Sequence, residues 1–224
     1  TNQRLTSIEK VWGDGMLSPG ASAFVLRLAN PFGLDQTKHL LEIGPGLGGA
    51  ARAIAEEFNT YVTGFELNPI LAATAQTRSN DKGMGKRAVI EPYSVAALDK
   101  CKTRFDAMFS KDALYLIEDK PALFKRLPKL LKPRGEIVFT DYMLADAKPT
   151  VPALDAWRDG EPSAPYPWQW EQYEKICKKS DLEIRVHEDL TKEYCAFIVE
   201  AWRVFQSSLT PDIKPEGARL VMDE

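Results

Sequence analysis

The chain has 224 residues, of which 44% are hydrophobic, and its 29 basic and 32 acidic side chains give a formal net charge of −3. This composition is typical of a globular protein and excludes a disordered or collagen-like chain. The small negative charge, without a basic block, argues against nucleic acid or an anionic membrane as the main partner, and no apolar run reaches the roughly 20 residues of a membrane span.

The cysteines and histidines indicate no metal site. Cys101, Cys177 and Cys195 form no CxxC or Cys/His cluster. An odd number of cysteines without a signal-like N-terminal segment favours a reducing compartment, so the sequence predicts a cytoplasmic protein. His39 and His187 lie at the edges of predicted strands, and we expect both to be structural.

From Lys38 onward, short apolar runs alternate with amphipathic stretches. This pattern predicts an α/β fold, with a parallel sheet covered by helices on both faces. The predicted strands are His39–Ile43, Tyr61–Phe65, Arg87–Glu91, Phe105–Ser110 and Glu136–Thr140. The predicted helices are Leu47–Phe58, Pro69–Asn80 and Glu118–Leu131.

Two further strands are predicted near the C-terminus, at Glu183–Val186 and Cys195–Trp202. Because the turn between them leaves no room for a crossover helix, we expect them to pair antiparallel. A hairpin would then close the sheet. Residues 37–203 form the predicted main domain, and residues 204–224 are predicted to be a tail, either flexible or truncated.

A long connection at residues 142–172 separates the fifth strand from the next helix. It carries five prolines, and irregular connections of this length in compact domains usually serve as lids or binding loops. Three tryptophans, Trp157, Trp168 and Trp170, lie within it together with Tyr166. We therefore predict a lid over the substrate.

The first predicted strand runs into a glycine turn and then a helix. Gly44, Gly46 and Gly49 match the GxGxxG pattern, which is a weak signal alone. Glu42, two residues before the first glycine, would repel a pyrophosphate and attract a cation. Glu66 ends the second strand, where an acid accepts hydrogen bonds from ribose hydroxyls. An adenosine that carries a cation, such as S-adenosylmethionine, fits both acids.

With this motif the chain resembles the class I S-adenosylmethionine-dependent methyltransferases, from about Gly13 to Trp202. The resemblance implies a Rossmann-like, doubly wound, mostly parallel sheet of seven strands, with the C-terminal antiparallel hairpin contributing the inserted strand. It also implies that residues 1–36 form a helical cover over the cofactor. After methyl transfer, the product of the cofactor would be S-adenosylhomocysteine. The implied cofactor-binding residues are Leu17, Ser18, Glu42, Gly44, Gly46, Glu66, Leu67, Ser94, Val95 and Lys111.

The segments Phe105–Ile117 and Leu130–Tyr142 are similar to the phosphoethanolamine and glycine/sarcosine N-methyltransferase group. The catalytic tyrosine and histidine of the phosphoethanolamine enzymes fall at Ile8 and Leu116 in this chain. The basic residues that bind phosphate there have no clear equivalents in the lid. The resemblance therefore implies methyl transfer to a small molecule, preferably an amine, without that catalytic pair.

Methyl transfer needs a positioned acceptor and, for an ammonium or hydroxyl, removal of a proton. Asp112 follows the fourth strand, and Asp141 and Tyr142 follow the fifth. These three are the predicted catalytic residues, with Tyr115 a weaker candidate, because ligands of open α/β sheets bind beyond the carboxyl ends of the strands.

The aromatic rings of the lid lie among acids in the sequence, and such a combination suits a cationic amine. The predicted substrate-binding residues are Trp157, Tyr166, Trp168 and Trp170.

Other functions stay open on the sequence alone. An O- or C-methyltransferase would use the same cofactor motif, and a nucleotide-dependent oxidoreductase would use the same glycine turn. A catalytically silent cofactor- or partner-binding module is a third possibility. A monomer and a homodimer fit the sequence equally well.

Overall fold

A parallel sheet of five strands organises the part of the chain described by the computed structural model, which comprises residues 2–145, 152–161 and 163–208. The strands are β1 (His39–Ile43), β2 (Tyr61–Glu66), β3 (Ala88–Pro92), β4 (Phe105–Lys111) and β5 (Leu131–Thr140). Their order is β3-β2-β1-β4-β5, and every neighbouring pair is parallel. The direction of winding reverses between β1 and β4, which opens a crevice at their carboxyl ends.

Helices cover both faces of the sheet and extend across its carboxyl edge. They are α1 (Asn2–Trp12), α2 (Ala21–Ala29), α3 (Gly49–Glu57), α4 (Pro69–Asp81), α5 (Lys120–Phe124), α6 (Leu127–Leu130), α7 (Pro152–Gly160), α8 (Trp170–Lys179) and α9 (Thr191–Ser208). Short 3-10 turns lie at Asn30–Phe32, Val95–Lys100 and Leu114–Leu116. Within the described ranges, no helix is both long and apolar enough to cross a membrane.

Strand β1 is buried on both sides, which explains its nearly continuous apolar sequence. Leu40 packs into a cluster with side chains of α2 and α3, whereas Leu41 and Ile43 pack on the opposite face with side chains of α5 and α8. Because successive residues of a strand alternate between faces, Glu42 lies on the same face as Leu40. A carboxylate is thus placed within the core layer.

All five predicted parallel strands are present, and β1 has the predicted bounds. The predicted helix Glu118–Leu131 is instead divided into α5 and α6. Pro121 and Pro128 each lie in the first turn of one of these short helices, because a proline in a helix interior removes a hydrogen bond and clashes with the preceding turn. Two prolines thus explain the division.

The predicted C-terminal hairpin is wrong. Cys195–Trp202 lies within α9, and residues 183–190 have no regular secondary structure, so the described sheet has five strands instead of seven. The apolar residues Tyr194, Phe197 and Phe205 recur at helical spacing, and the first two pack on a single ring of α2. This tertiary contact favours a helix although the local run of β-branched and aromatic residues resembles a strand.

Candidate functional site

The glycine turn after β1 closely approaches the end of β4. Gly44 and Gly46 have φ angles of 73° and 56°, a region that side chains disfavour. A Cβ on Gly44 would lie 2.3 Å from Cβ of Ala113, and one on Gly46 would lie 2.7 Å from Cδ1 of Leu17. The turn, the segment after β4 and the N-terminal loop therefore meet at one point. An alanine at Gly44 would press on Ala113, and one at Gly46 would displace the end of the Leu17 side chain.

Hydrogen bonds hold the N-terminal loop over this turn. The Glu9 carboxylate accepts from the guanidinium of Arg78 on α4 and, at 2.7 Å, from the backbone N–H of Gly15. The carbonyl of Gly15 in turn accepts from the N–H of Gly49 at 3.1 Å. Residues that precede β1 thus cover the first turn of α3. That they also cover a cofactor stays a prediction.

Glu42 is a buried carboxyl group without a full set of partners. It is 2% exposed, and among the described residues its Oε2 atom has no hydrogen-bond partner. Burial raises the pKa of Glu42 to about 8, and the charge of Glu66 adds to this effect, whereas Arg52 and Lys111 oppose it. Since an ionised carboxylate is costly to bury without a paired cation, the site suits a ligand that brings a positive charge.

Glu66 ends β2 beside the glycine turn and is also buried. Its Oε2 accepts from the N–H of Gly46 and its Oε1 from the N–H of Asn68, each at 2.9 Å. Burial raises the pKa of Glu66, while these backbone donors act in the opposite direction. A carboxylate can accept about four hydrogen bonds, so beside the backbone donors of Gly46, Asn68 and Leu67 it retains a position for a ligand hydroxyl.

Three other predicted cofactor residues lie beyond the carboxyl ends of β2 and β3. Leu67 directly follows β2 and is 40% exposed. Ser94 caps the adjoining 3-10 turn by accepting from the N–H of Ala97 at 3.3 Å, and Val95 packs against the core. Their contact with a cofactor stays a prediction.

Lys111 and Asp112 continue the site at the end of β4. The Lys111 ammonium donates to Oγ of Ser18 at 2.5 Å and to Oδ2 of Asp112 at 2.9 Å. Burial lowers the pKa of Lys111, and the adjacent Asp112 carboxylate opposes that shift. Asp112 has a φ of 50°, a conformation that costs a non-glycine residue about 1–3 kcal/mol and is concentrated at functional sites.

Two hydroxyl groups from distant elements converge on the Asp112 carboxylate. Thr140 of β5 donates to Oδ1 at 2.7 Å, and the Tyr194 hydroxyl of α9 lies 2.8 Å from Oδ1 and 3.1 Å from Oδ2. Neither residue is among those predicted for the site. For Tyr194 the reason is that the sequence predicts a strand at Cys195–Trp202, where the structure has α9. The spacing of Tyr194 and Phe197 is the sequence signal that favours the helix.

Four aromatic rings form a connected group that reaches this carboxylate through Tyr194. Tyr115 lies 5.2 Å from Tyr142 and 5.7 Å from Trp157, and Tyr142 lies 6.3 Å from Tyr194, as measured between ring centroids. We call these four residues the aromatic cluster. Burial raises the pKa of its tyrosines, so their hydroxyls stay neutral. Neutral rings beside a carboxylate form a suitable environment for a cation.

Asp141 and Tyr166 anchor the base of the lid. Asp141 accepts from the N–H of Tyr115 at 2.9 Å and from the hydroxyl of Tyr173, and burial raises its pKa to about 7. The N–H of Tyr166 donates to the carbonyl of Tyr115 at 2.6 Å, and its own carbonyl accepts from the buried Lys120 ammonium at 2.5 Å. These contacts indicate an anchoring role for Asp141.

The lid tryptophans occupy different environments. Trp157 on α7 belongs to the aromatic cluster. Trp168 packs against Tyr173, which is part of the core, and Trp170 stacks on His187 with 3.4 Å between ring centroids. Of these three tryptophans, Trp157 is therefore the one whose ring lies with the tyrosines near Asp112, where an acceptor could bind. Parts of the predicted lid, residues 146–151 and 162, lie outside the described residues.

The fold and the site together define a Rossmann-like α/β domain of the methyltransferase type. Its glycine turn and the carboxyl groups of Glu42 and Glu66 lie near the point where the strand order reverses, between β1 and β4. The chain belongs to a family described as "Methyltransferase domain", which matches residues 17–186. Phosphoethanolamine N-methyltransferase 1 of Zea mays is 32% identical over 148 residues, which are 63% of this chain and 28% of that protein.

Solved structures share this fold. A phosphoethanolamine N-methyltransferase 2 of Haemonchus contortus in complex with S-adenosyl-L-methionine is similar over 99% of this chain and 52% of its own, with a TM-score of 0.86 and 24% identity. A putative sarcosine dimethylglycine methyltransferase from Galdieria sulphuraria is similar over 100% and 91% of the two chains, with a TM-score of 0.74 and 16% identity. The chain thus spans less than a third of the maize relative and about half of the Haemonchus chain.

Proposed function

We propose that this domain binds S-adenosylmethionine and transfers its methyl group to a small cationic amine. The observation that carries the proposal is the contact between Gly44 and Ala113, which sets the glycine turn directly beside Asp112 and the aromatic cluster. A site for a cationic nucleoside and a site for a cationic acceptor are therefore adjacent. Membership of the methyltransferase family favours this function over the oxidoreductase alternative.

The residues around the glycine turn fit the cofactor. The Oε2 atom of Glu42, which has no partner among the described residues, would face the positively charged methionine part, and the Glu66 carboxylate can still accept a hydrogen bond from a ribose hydroxyl. Gly44 and Gly46 leave space that side chains would fill. When bound, S-adenosylmethionine supplies an electrophilic methyl group on a sulfonium, whose sulfur keeps the bonding electron pair.

The protein must supply position and a proton acceptor. An ammonium has no lone pair for attack until it loses a proton. We assign this proton to Oδ2 of Asp112, which accepts from Lys111 at 2.9 Å and can still accept once more. The freed amine lone pair then forms the new N–C bond, and the aromatic cluster restricts the orientation of the acceptor.

Charges around the aromatic cluster favour a cationic acceptor without a phosphate. The charged groups that act on Tyr115 are three acids, Glu161, Asp112 and Asp141, and one base, Arg4. The nearby cations are already engaged, since Lys111 donates to Ser18 and Asp112, Lys120 donates to two backbone carbonyls, and Arg4 donates to the carbonyl of Gly160. They therefore offer no open phosphate site within the described residues, whereas neutral rings beside carboxylates suit an ammonium. We therefore propose that the acceptor differs in charge from the phosphoethanolamine in the name of the maize relative. A cytoplasmic location and a monomeric or homodimeric state stay predictions.

A panel of acceptors tests the reaction. Labelled methyl transfer from S-adenosylmethionine would be measured with ethanolamine, N-methylethanolamine, sarcosine, phosphoethanolamine, a phenol and a carboxylic acid. We expect labelling of the unphosphorylated amines. Preference for phosphoethanolamine would overturn the proposed charge of the acceptor, and labelling of the phenol or the acid alone would overturn N-methylation. No labelling in any arm would contradict the proposed activity.

Replacing Trp157 by alanine should weaken acceptor binding. Loss of one ring face from a cation site corresponds to about 0.5–2 kcal/mol, so the KM for the acceptor should rise roughly 3- to 30-fold. The cofactor Kd, measured by calorimetry, should be unchanged. Trp202→Ala is the matched control, because Trp202 packs against Phe205 on α9, apart from the aromatic cluster. An unchanged KM in Trp157→Ala would remove this ring from the proposed site.

A further inference from the structure

We propose that Tyr194 is a positioning residue, which holds the Asp112 carboxylate in the orientation in which it faces the acceptor. The inference rests on the proposed function, because the orientation of Asp112 matters only if this carboxylate serves the methyl acceptor. Tyr194 comes from α9, a helix far along the chain from both the glycine turn and β4.

The hydrogen bonds of Asp112 show what Tyr194 contributes. Its hydroxyl lies 2.8 Å from Oδ1 and 3.1 Å from Oδ2, and 3.1 Å from Oγ1 of Thr140. A phenol has a single hydrogen, and the shorter distance assigns it to Oδ1, which Thr140 also contacts at 2.7 Å. Oδ1 is then saturated by two donors, while Oδ2 accepts from Lys111 and keeps one free position. Tyr194 thereby determines which oxygen of Asp112 is available.

Tyr194 is itself held firmly. Its ring contacts Phe24 of α2 edge-on at 5.6 Å between centroids, and Phe197, one turn further along α9, contacts the same ring at 5.1 Å. Beside them, both carboxylate oxygens of Glu193 accept from the Arg27 guanidinium, at 2.6 and 2.7 Å. The first turn of α9 is thus fixed on α2, and the Tyr194 hydroxyl has a defined place above the end of β4.

Tyr194 acts as a donor and not as a base. Burial and the Asp112 carboxylate both raise its pKa, so the phenol stays protonated at neutral pH. The same ring belongs to the aromatic cluster through Tyr142, at 6.3 Å. One side chain therefore links the carboxylate to the rings that we assign to the acceptor. The titratable groups that face Asp112 are Lys111, Tyr115, Asp141, Tyr142 and Tyr194.

Tyr194→Phe tests this role, because it removes the hydroxyl and keeps the ring. With the best amine of the panel, we expect kcat to fall about 10- to 100-fold, the size of effect expected when a hydrogen bond to a charged group is lost. The KM for the acceptor and the calorimetric Kd for S-adenosylhomocysteine should each change less than about 3-fold, because the ring and the glycine turn are intact. Tyr61→Phe, on an exposed ring at the start of β2, is the matched control.

A pH readout separates positioning from a purely structural role. A hydrogen bond to a carboxylate favours its charged form, so the acid limb of kcat/KM should move to higher pH in Tyr194→Phe and stay in place in the control. The carbon-13 chemical shift of the Asp112 carboxyl, measured at neutral pH without any acceptor, should differ between Tyr194→Phe and wild type, because a hydrogen bond to that carboxyl is lost. This second measurement tests Tyr194 even if no amine in the panel is methylated.

Three results would overturn the inference. One is a Tyr194→Phe enzyme with wild-type kcat and an unmoved acid limb. The second is a carbon-13 chemical shift of the Asp112 carboxyl that is identical in the two proteins, whatever the activity. A loss of activity that is accompanied by an equal loss of cofactor affinity would likewise assign Tyr194 to the fold and not to Asp112.

Discussion

Replacing Glu42 by glutamine is expected to stabilise the unliganded protein and, at the same time, to weaken its binding of S-adenosylmethionine by at least about 100-fold. Both effects follow from one buried carboxyl group that lacks a cation. Its Oε2 atom has no hydrogen-bond partner among the described residues, and its pKa is raised to about 8. The folded protein disfavours the ionised form of Glu42, and we expect S-adenosylmethionine to require that ionised form for binding.

The sign of the pH dependence follows from this raised pKa. Between about pH 4.5, where an unfolded glutamate titrates, and about pH 8, the folded protein holds a proton on Glu42 that the unfolded chain has lost. Stability therefore falls as pH rises through this window. At pH 7 the penalty is about 3 kcal/mol, and a glutamine should relieve about 1–3 kcal/mol of it, since its amide is still polar and buried.

Melting curves and calorimetry at several pH values would measure both effects. The stability difference between Glu42→Gln and wild type should grow from about pH 4.5 to about pH 8 and then level off. Wild-type affinity for S-adenosylmethionine should rise over the upper part of this window, as Glu42 becomes ionised to meet the cation. Glu57→Gln, on the exposed end of α3, is the control. A destabilised Glu42→Gln protein with normal affinity would contradict this role of Glu42.

The residues that we propose for the cofactor could be located from the sequence because their signals are local. Glu42, Gly44 and Gly46 follow one another in a single strand and turn, and Glu66 closes the next strand along the chain. Apolar runs bounded by turns also predict β1 to β5, since strands buried on both faces have few alternatives. These features depend on short-range sequence and on the general winding rules of α/β sheets.

The acceptor half depends on contacts between distant segments, which local patterns do not specify. The hydrogen bond between Tyr194 and Asp112 joins residues that are 82 positions apart in the sequence, and the one between Thr140 and Asp112 joins residues that are 28 positions apart. The sequence of the lid does not distinguish between its aromatic residues as candidates for the acceptor site. Trp157 joins the aromatic cluster because α7 places its ring against Tyr115 and Tyr142. The segment Cys195–Trp202 has a strand-like composition, but packing on α2 makes it helical. Tertiary contacts thus decide what propensity leaves open.

Asp112→Asn is expected to lower kcat/KM for the amine by about 10²- to 10⁴-fold, the usual contribution of a positioned general base. The affinity for S-adenosylhomocysteine should change much less, because Glu42 and Glu66 are untouched. Lys111 loses a buried counter-ion that lies 2.9 Å away, so the melting temperature should fall as well. Asp99→Asn, which breaks an ion pair with Arg126 on the surface, is the control for charge removal.

The pH dependence of the residual activity distinguishes a lost base from a damaged fold. In the proposed mechanism Asp112 accepts a proton from a bound ammonium, so the wild-type enzyme should use the charged form that predominates near neutral pH. The variant must instead take the free amine from solution, and its kcat/KM should rise about tenfold per pH unit up to the pKa of the acceptor. High pH would then restore much of the lost rate. A variant that stays equally impaired at every pH, while folded and still binding S-adenosylhomocysteine, would show that Asp112 orients the acceptor without taking its proton.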